Sequence, residues 1–144
     1  MVAISRGKEN ESLAKKLGAH IYIDSAVNAA AELQKLGGAQ IILATAPNSK
    51  AMTALFDGLG PRGKMVVVGA DTGPIEVSPV QLIRGSKSVQ GWASGIPTDS
   101  EDTLRFAELT GVRPMIEKFP LAKVNEAYAR MMSGNAQFRV VLTM

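Results

Sequence analysis

Four short apolar runs recur along the first half of the chain: Val2-Ala3-Ile4, Ile21-Tyr22-Ile23, Ile41-Ile42-Leu43-Ala44 and Met65-Val66-Val67-Val68. Each is almost continuously hydrophobic, the pattern of parallel strands covered on both faces. Segments with a helical period separate them. Leu13, Ala14 and Leu17 share one face, Ala26, Ala29, Ala30 and Leu33 follow the i, i+3, i+4, i+7 rule, and Met52, Leu55, Phe56 and Leu59 repeat it. Gly18 and the pair Gly37-Gly38 stand where the first two helices must stop, and Asn48-Ser49 suits the start of the third. Strand and helix alternating at this spacing require right-handed crossovers. The expected fold is a doubly wound α/β domain on a parallel sheet.

The rhythm changes further on. Ser78-Pro79 opens a short helix, and residues 88–93 read as a strand. Thr98-Asp99-Ser100-Glu101 has the form of a capping box for a helix that Gly111 ends. Residues 115–119 suit a strand. Val124, Ala127, Tyr128, Met131 and Met132 form an amphipathic helix closed by Gly134, and residues 138–142 a last strand. The later elements no longer give one crossover per strand. The expected division is therefore a doubly wound region over 1–112 and a tail over 113–144.

Composition narrows the function. At 144 residues, 46% hydrophobic and 20% charged, the chain has ordinary globular composition. No apolar run nears the roughly 20 residues that span a bilayer, and the first residues carry no basic leader, so no membrane partner and a cytoplasmic site are expected. The absence of cysteine removes disulfides, thiolate nucleophiles and cysteine zinc sites. Net charge is +3, but the basic residues are scattered and aromatics reach only 5%, so a nucleic-acid partner is not expected.

Gly58-Leu59-Gly60-Pro61-Arg62-Gly63 matches a dinucleotide fingerprint by letters only. The fingerprint needs a strand before it and a helix after it; here a helix precedes and a strand follows, so the segment reads as a helix-to-strand turn. More is legible at the strand ends, where open α/β sheets bind ligands. After the first run comes Ser5-Arg6-Gly7-Lys8, with no acid before Glu9. A hydroxyl, a guanidinium and an ammonium suit a dianionic phosphate, although such a loop is also ordinary solvated surface. Thr45 follows the third run, and Val68-Gly69-Ala70 closes the fourth. Small residues there admit a flat ring and are equally common in turns. The lone His20 and Trp92 read as structural, and Asp99, Glu101 and Asp102 as helix-start charges. No nucleophile–base pair stands out.

Taken together, these segments resemble the medium-chain dehydrogenase/reductase superfamily, in particular its zinc-type alcohol dehydrogenases. The likeness rests on residues 12–19 (Ser-Leu-Ala-Lys-Lys-Leu-Gly-Ala), on Gly63 to Gly69, and on Met132-Ser133-Gly134 through Leu142. It runs from that family's second Rossmann strand to its C-terminus, without the first strand, the glycine-rich loop or the zinc-bearing catalytic domain. The resemblance implies that Ser5, Arg6 and Lys8 face the 2′-phosphate of NADP(H). It implies that Thr45, Val68, Gly69 and Ala70, with the backbone of Trp92, Ala93 and Ser94, lie near the adenine, ribose or nicotinamide, and that Arg139 approaches the pyrophosphate. Zinc is expected only in a full-length family member, which would oxidise alcohols or reduce aldehydes; this chain alone would be inactive. The resemblance also implies a homodimer or higher oligomer, formed through the strand at Val89 to Trp92. Part of a zinc-free NADPH quinone or enoyl reductase, or a non-catalytic oligomerisation domain, are the alternatives.

One physical difficulty follows from that resemblance. In the strand order 3-2-1-4-5-6 the missing first strand is central, so the Val2 and Ile41 strands border a gap. A buried unpaired N–H or C=O costs about 1–3 kcal/mol. The gap is expected to close by direct pairing of the two strands, by a second copy, or by the rest of a larger enzyme.

Overall fold

Every apolar run becomes a parallel strand, and the periodic segments become its crossovers. The computed structural model describes residues 1–144. Its first elements are β1 (Val2–Ser5), α1 (Glu11–Lys16), β2 (Ile21–Asp24), α2 (Ala29–Lys35) and β3 (Ala39–Ala44). They are followed by α3 (Ser49–Phe56), β4 (Leu59–Val67), α4 (Pro79–Ile83) and β5 (Ser88–Gly91). Then come α5 (Pro97–Thr110), β6 (Ile116–Pro120), a 3-10 turn (Leu121–Lys123), α6 (Val124–Met132) and β7 (Arg139–Thr143). The chain divides into two compact units, Met1–Ala93 and Ser94–Met144, a boundary ahead of the one read from the sequence. The α/β class with parallel strands holds throughout.

Local chemistry explains the helix ends. Asn48 Oδ1 accepts from Ala51 N at 2.9 Å, and Asn28 Oδ1 from Ala31 N at 3.0 Å, each satisfying an amide with no helical partner. Asn28 moves the start of α2 past Ala26. Ser78 and Gln81 bond reciprocally across the first turn of α4. The capping box expected at Thr98 is displaced: α5 starts at Pro97, and Asp99 Oδ2 accepts from Ile96 N at 2.8 Å. Proline needs no amide partner there, so the helix begins two residues earlier than a Thr98 cap would set it. Gly18, Gly37, Gly111 and Gly134 all stop helices at positive φ, as expected.

In the first unit, β1 pairs with β2, while β3, β4 and β5 form a second sheet in that order. Phe56, Leu59 and Met65 are the most deeply buried side chains, packed with Ile23, Leu33, Ile42 and Met52. Leu59 corrects the sequence reading of α3. Its helical spacing is coincidental, because the helix ends at Phe56 and Leu59 opens β4. The chain must turn at Gly58, where a Cβ would lie 2.7 Å from Leu33 Cδ1 and 3.0 Å from Leu55 O. The fingerprint-like segment lies at this junction and forms a wide bulge. Ala39 faces Leu59 while Ile41 faces Lys64, so Gly60 to Gly63 loop out against Gln40. A Cβ on Gly38 would sit 2.6 Å from Gly60 Cα. These glycines serve close backbone packing, not phosphate.

One expectation is overturned here, and one of the three ways of closing the gap is not adopted. β3 is covered on one face only: Ile42 and Ala44 are buried, whereas Ile41 and Leu43 remain 68% and 60% exposed. And β1 does not pair with β3; a groove of about 740 Å³ separates them. Leu33 of α2, Leu36 just past it, and Met52 and Leu55 of α3 line that groove.

In the second unit, β6 pairs with β7, and α6 is tied to that sheet by one ion pair. Arg130 Nε donates to Glu117 Oε2 at 2.7 Å and Nη2 donates to Oε1 at 2.9 Å, while Gln137 N donates to Oε1 at 2.9 Å. These donors, the Arg130 side chain first, hold the Glu117 carboxyl at about 2, against its ordinary 4.5. A depressed folded value means the stabilisation is complete above pH 4.5 and is lost as pH falls through 2. The stability difference between the wild type and Glu117→Gln should therefore shrink across that window in urea titrations. A difference constant from pH 7 to pH 2 would remove the pair as its source.

A candidate cofactor edge

Register places the carboxyl ends of β3, β4 and β5 side by side, with Ala44 opposite Val67 and Val67 opposite Gly91. Backbone bonds carry the alignment past the strands. Val68 N and Gly69 N both donate to Ala44 O at 3.0 Å, and Trp92 N donates to Val67 O at 2.9 Å. Thr45, Val68, Gly69, Ala70, Trp92 and Ala93 therefore share one edge. Gly69 makes this possible: a Cβ there would lie 2.6 Å from Thr45 O and 2.7 Å from the Ala46 carbonyl. A larger residue would push the two strand exits apart. Trp92 is 59% exposed, so of the structural roles open to it, core or interface, it does not take the core one.

Asp71, just past this edge, went unremarked in the sequence as a partner for α3. Its Oδ2 accepts from Ser49 N, the first amide of α3, at 2.7 Å, and its Oδ1 accepts from Thr72 N at 2.8 Å. The Ser49 bond, with help from Gly73 and Thr72, lowers the carboxyl below its ordinary range. An acid four residues past an apolar strand's core was the available signal; its partner lies 22 residues away and was not legible. The N-terminus of α3 is thus already matched to a negative charge from within the chain.

The cationic turn sits at the end of β1. Gly7 adopts φ +73°, and a Cβ there would collide with the Glu9 carboxylate. Two side chains of β2 pin the turn: Gly7 N donates to Asp24 Oδ1 at 3.0 Å, and Tyr22 OH donates to Gly7 O at 2.6 Å. Ser5 O accepts from Ser25 N at 2.8 Å, and Ser5 Oγ accepts from Asn10 Nδ2 at 3.3 Å. Arg6 and Lys8 are exposed and belong to none of the chain's ion pairs. A fixed backbone presenting two cations without an acidic partner has the chemistry to receive an anion.

The remaining expected residues lie in the second unit. Ser94 is exposed ahead of α5, and Arg139 opens β7 opposite Ile116. The residues brought together are those of the first unit. His20 is exposed, and no group of three His, Cys, Asp or Glu side chains gathers anywhere, so the donors present do not fit a zinc ion.

A family profile described as zinc-binding dehydrogenase matches residues 1–135. The alcohol dehydrogenase patD of Penicillium expansum is 48% identical over 145 aligned positions, covering 100% of this chain and 42% of that protein. Among solved structures, the alcohol dehydrogenase zinc-binding domain protein of Burkholderia ambifaria superposes with a TM-score of 0.84 at 25% identity, over 99% of this chain and 42% of that one. A cinnamyl alcohol dehydrogenase of Sorghum bicolor gives 0.77 at 31% identity, over 98% and 40%. The chain spans under half the length of each.

Proposed function

Because this chain belongs to the zinc-binding dehydrogenase family, we propose that it is the part of an alcohol or aldehyde oxidoreductase that holds NADP(H). The observation that carries this reading is the turn after β1, where Asp24 and Tyr22 fix the backbone and leave Arg6 and Lys8 free. Arg6 and Lys8, with the Ser5 hydroxyl, receive the 2′-phosphate. Thr45 and Val68-Gly69-Ala70 lie along the adenosine and nicotinamide, with the Trp92-Ala93-Ser94 backbone on the same ligand. Arg139 takes the pyrophosphate. Bound NADP(H) supplies hydride exchange at its nicotinamide ring. The protein's share is orientation: Gly69 keeps the β3 and β4 exits close enough to form one edge for the ligand, and the turn after β1 selects the phosphorylated ribose.

No residue of this chain serves as zinc ligand, nucleophile or general base in this reading, so the chain alone binds without turnover. The same donor set suits a zinc-free quinone or enoyl reductase. We also propose self-association through the outer edge of β5, which carries the partly exposed Val89 and pairs with nothing beyond β4.

Isothermal titration tests the binding reading. NADPH should bind more tightly than NADH; no binding, or equal binding of both, would favour a non-catalytic oligomerisation domain instead.

A further inference from the structure

Glu9 is the one acid among residues 5–10, and the cofactor reading gives it no part. Its carboxylate folds back over Gly7. A Cβ on that glycine would stand 2.6 Å from Glu9 Cδ and 2.7 Å from Oε1, with Oε2 closer still. Gly7, left-handed at φ +73° and without a side chain, leaves the slot that the carboxylate fills. Arg6 and Lys8 flank that glycine, yet Glu9 belongs to none of the chain's ion pairs. The hydrogen bonds that fix the turn run through Asp24, Tyr22 and Asn10 instead. The Glu9 oxygens are therefore acceptors with no partner inside the turn they touch.

Two opposed chemistries meet there. Guanidinium and ammonium groups attract a dianionic 2′-phosphate. A carboxylate repels that phosphate, and it accepts a hydrogen bond from the free 2′-hydroxyl of an unphosphorylated ribose. Salt does little to hide the repulsion, because groups that share one turn lie inside the screening length of about 8–10 Å.

We propose that Glu9 is a specificity-determining residue of this turn: from its place over Gly7 it accepts the ribose 2′-hydroxyl of NAD(H) and opposes the 2′-phosphate of NADP(H). The turn then admits both cofactors, and it holds the phosphorylated one less tightly than Arg6 and Lys8 alone would hold it. The inference rests on the NADP(H) reading and adds to it a residue that works against that preference. Glu9 stands four positions beyond Ser5, and only the reversal of the chain at Gly7 returns it to the strand end. An incoming phosphate displaces the carboxylate without breaking any ion pair, so the residue tunes the choice and does not block it.

Isothermal titration of the whole chain with 2′,5′-ADP and 5′-ADP, which differ only in the 2′-phosphate, tests this. Glu9→Gln should bind 2′,5′-ADP about tenfold more tightly and 5′-ADP about threefold more weakly, a change of about thirtyfold in their ratio. Glu9→Ala cannot donate a bond to the phosphate and should move both affinities in the same directions, which excludes a new amide donor as the cause. Asp57→Asn removes the same charge at the C-cap of α3, ahead of the amino end of β4, and should leave both affinities within about twofold. Opposite movement of the two ligands is the result expected, since a mere prop of the turn would weaken both together when removed. Equal weakening of both, or an unchanged ratio in Glu9→Gln while Arg6→Glu still shifts it, would overturn the proposal alone. No binding of either ligand, or a wild-type ratio of one that Arg6→Glu also leaves unmoved, would sink the NADP(H) reading and the proposal with it.

Discussion

Arg6→Glu reverses the preference for NADPH over NADH, with NADPH affinity falling about 100-fold and NADH affinity nearly unchanged. The magnitude follows from losing one charge-assisted bond, worth about 1.5–3 kcal/mol, and gaining a repulsive carboxylate. The fold should be indifferent, because Arg6 is exposed and pairs with no acid in the chain. Paired titrations of both cofactors against both proteins measure the effect. An unchanged NADPH/NADH ratio would take Arg6 out of the site. Lys8→Glu should act in the same direction, and a thermal melt matching the wild type would separate recognition from folding.

Phe56→Ala should be the most damaging single truncation in the first unit. Phe56 is 0% exposed and packs among Met52, Leu59 and Met65 at the junction of α3 and β4. Removing a fully buried aromatic ring costs about 3–5 kcal/mol in transfer and cavity energy. That approaches the whole stability of a small domain, about 5–15 kcal/mol. Urea denaturation should show the midpoint collapsing, with intrinsic signals of the native state absent at 37 °C. Phe56→Leu keeps most of the volume and should recover over half the loss. A Phe56→Ala protein within 1 kcal/mol of wild type would mean that the groove beside α3 lets the core relax into the cavity.

The strands were readable because each is a short, nearly continuous apolar run between segments of helical period, and that pattern depends on neighbours in sequence. Boundaries were less readable. Leu59 continues the helical period of Met52 and Phe56 by chance, and only the crowding at Gly58 shows that the chain has left the helix. Asn28, by contrast, could have been recognised as a cap directly before Ala29. The exposed face of β3 was not legible at all. Hydrophobicity says that Ile41 and Leu43 favour burial; it does not say whether the chain contains anything to bury them. At the candidate site, Thr45 and Gly69 were placed by strand order and are in contact across the edge. The partnership of Asp24 and Tyr22 with Gly7 spans 17 and 15 residues, and nothing local announces it. Ser94 and Arg139 rested on family likeness alone, and the geometry of the second unit adds no ligand chemistry to them.

Asp71 has a consequence for how an anion finds this protein. By spending its charge on the first amide of α3, it cancels the one positive helix end beside the Thr45–Gly69 edge. Under the proposed binding reading, Arg6 and Lys8 at the β1 turn are then the exposed cations an incoming 2′-phosphate meets. Their attraction would steer phosphates toward that turn before any contact forms, so capture should slow as ionic strength shortens the reach of those charges to about 8–10 Å. Neutralising the carboxylate would open a competing landing place at the wrong end of the ligand.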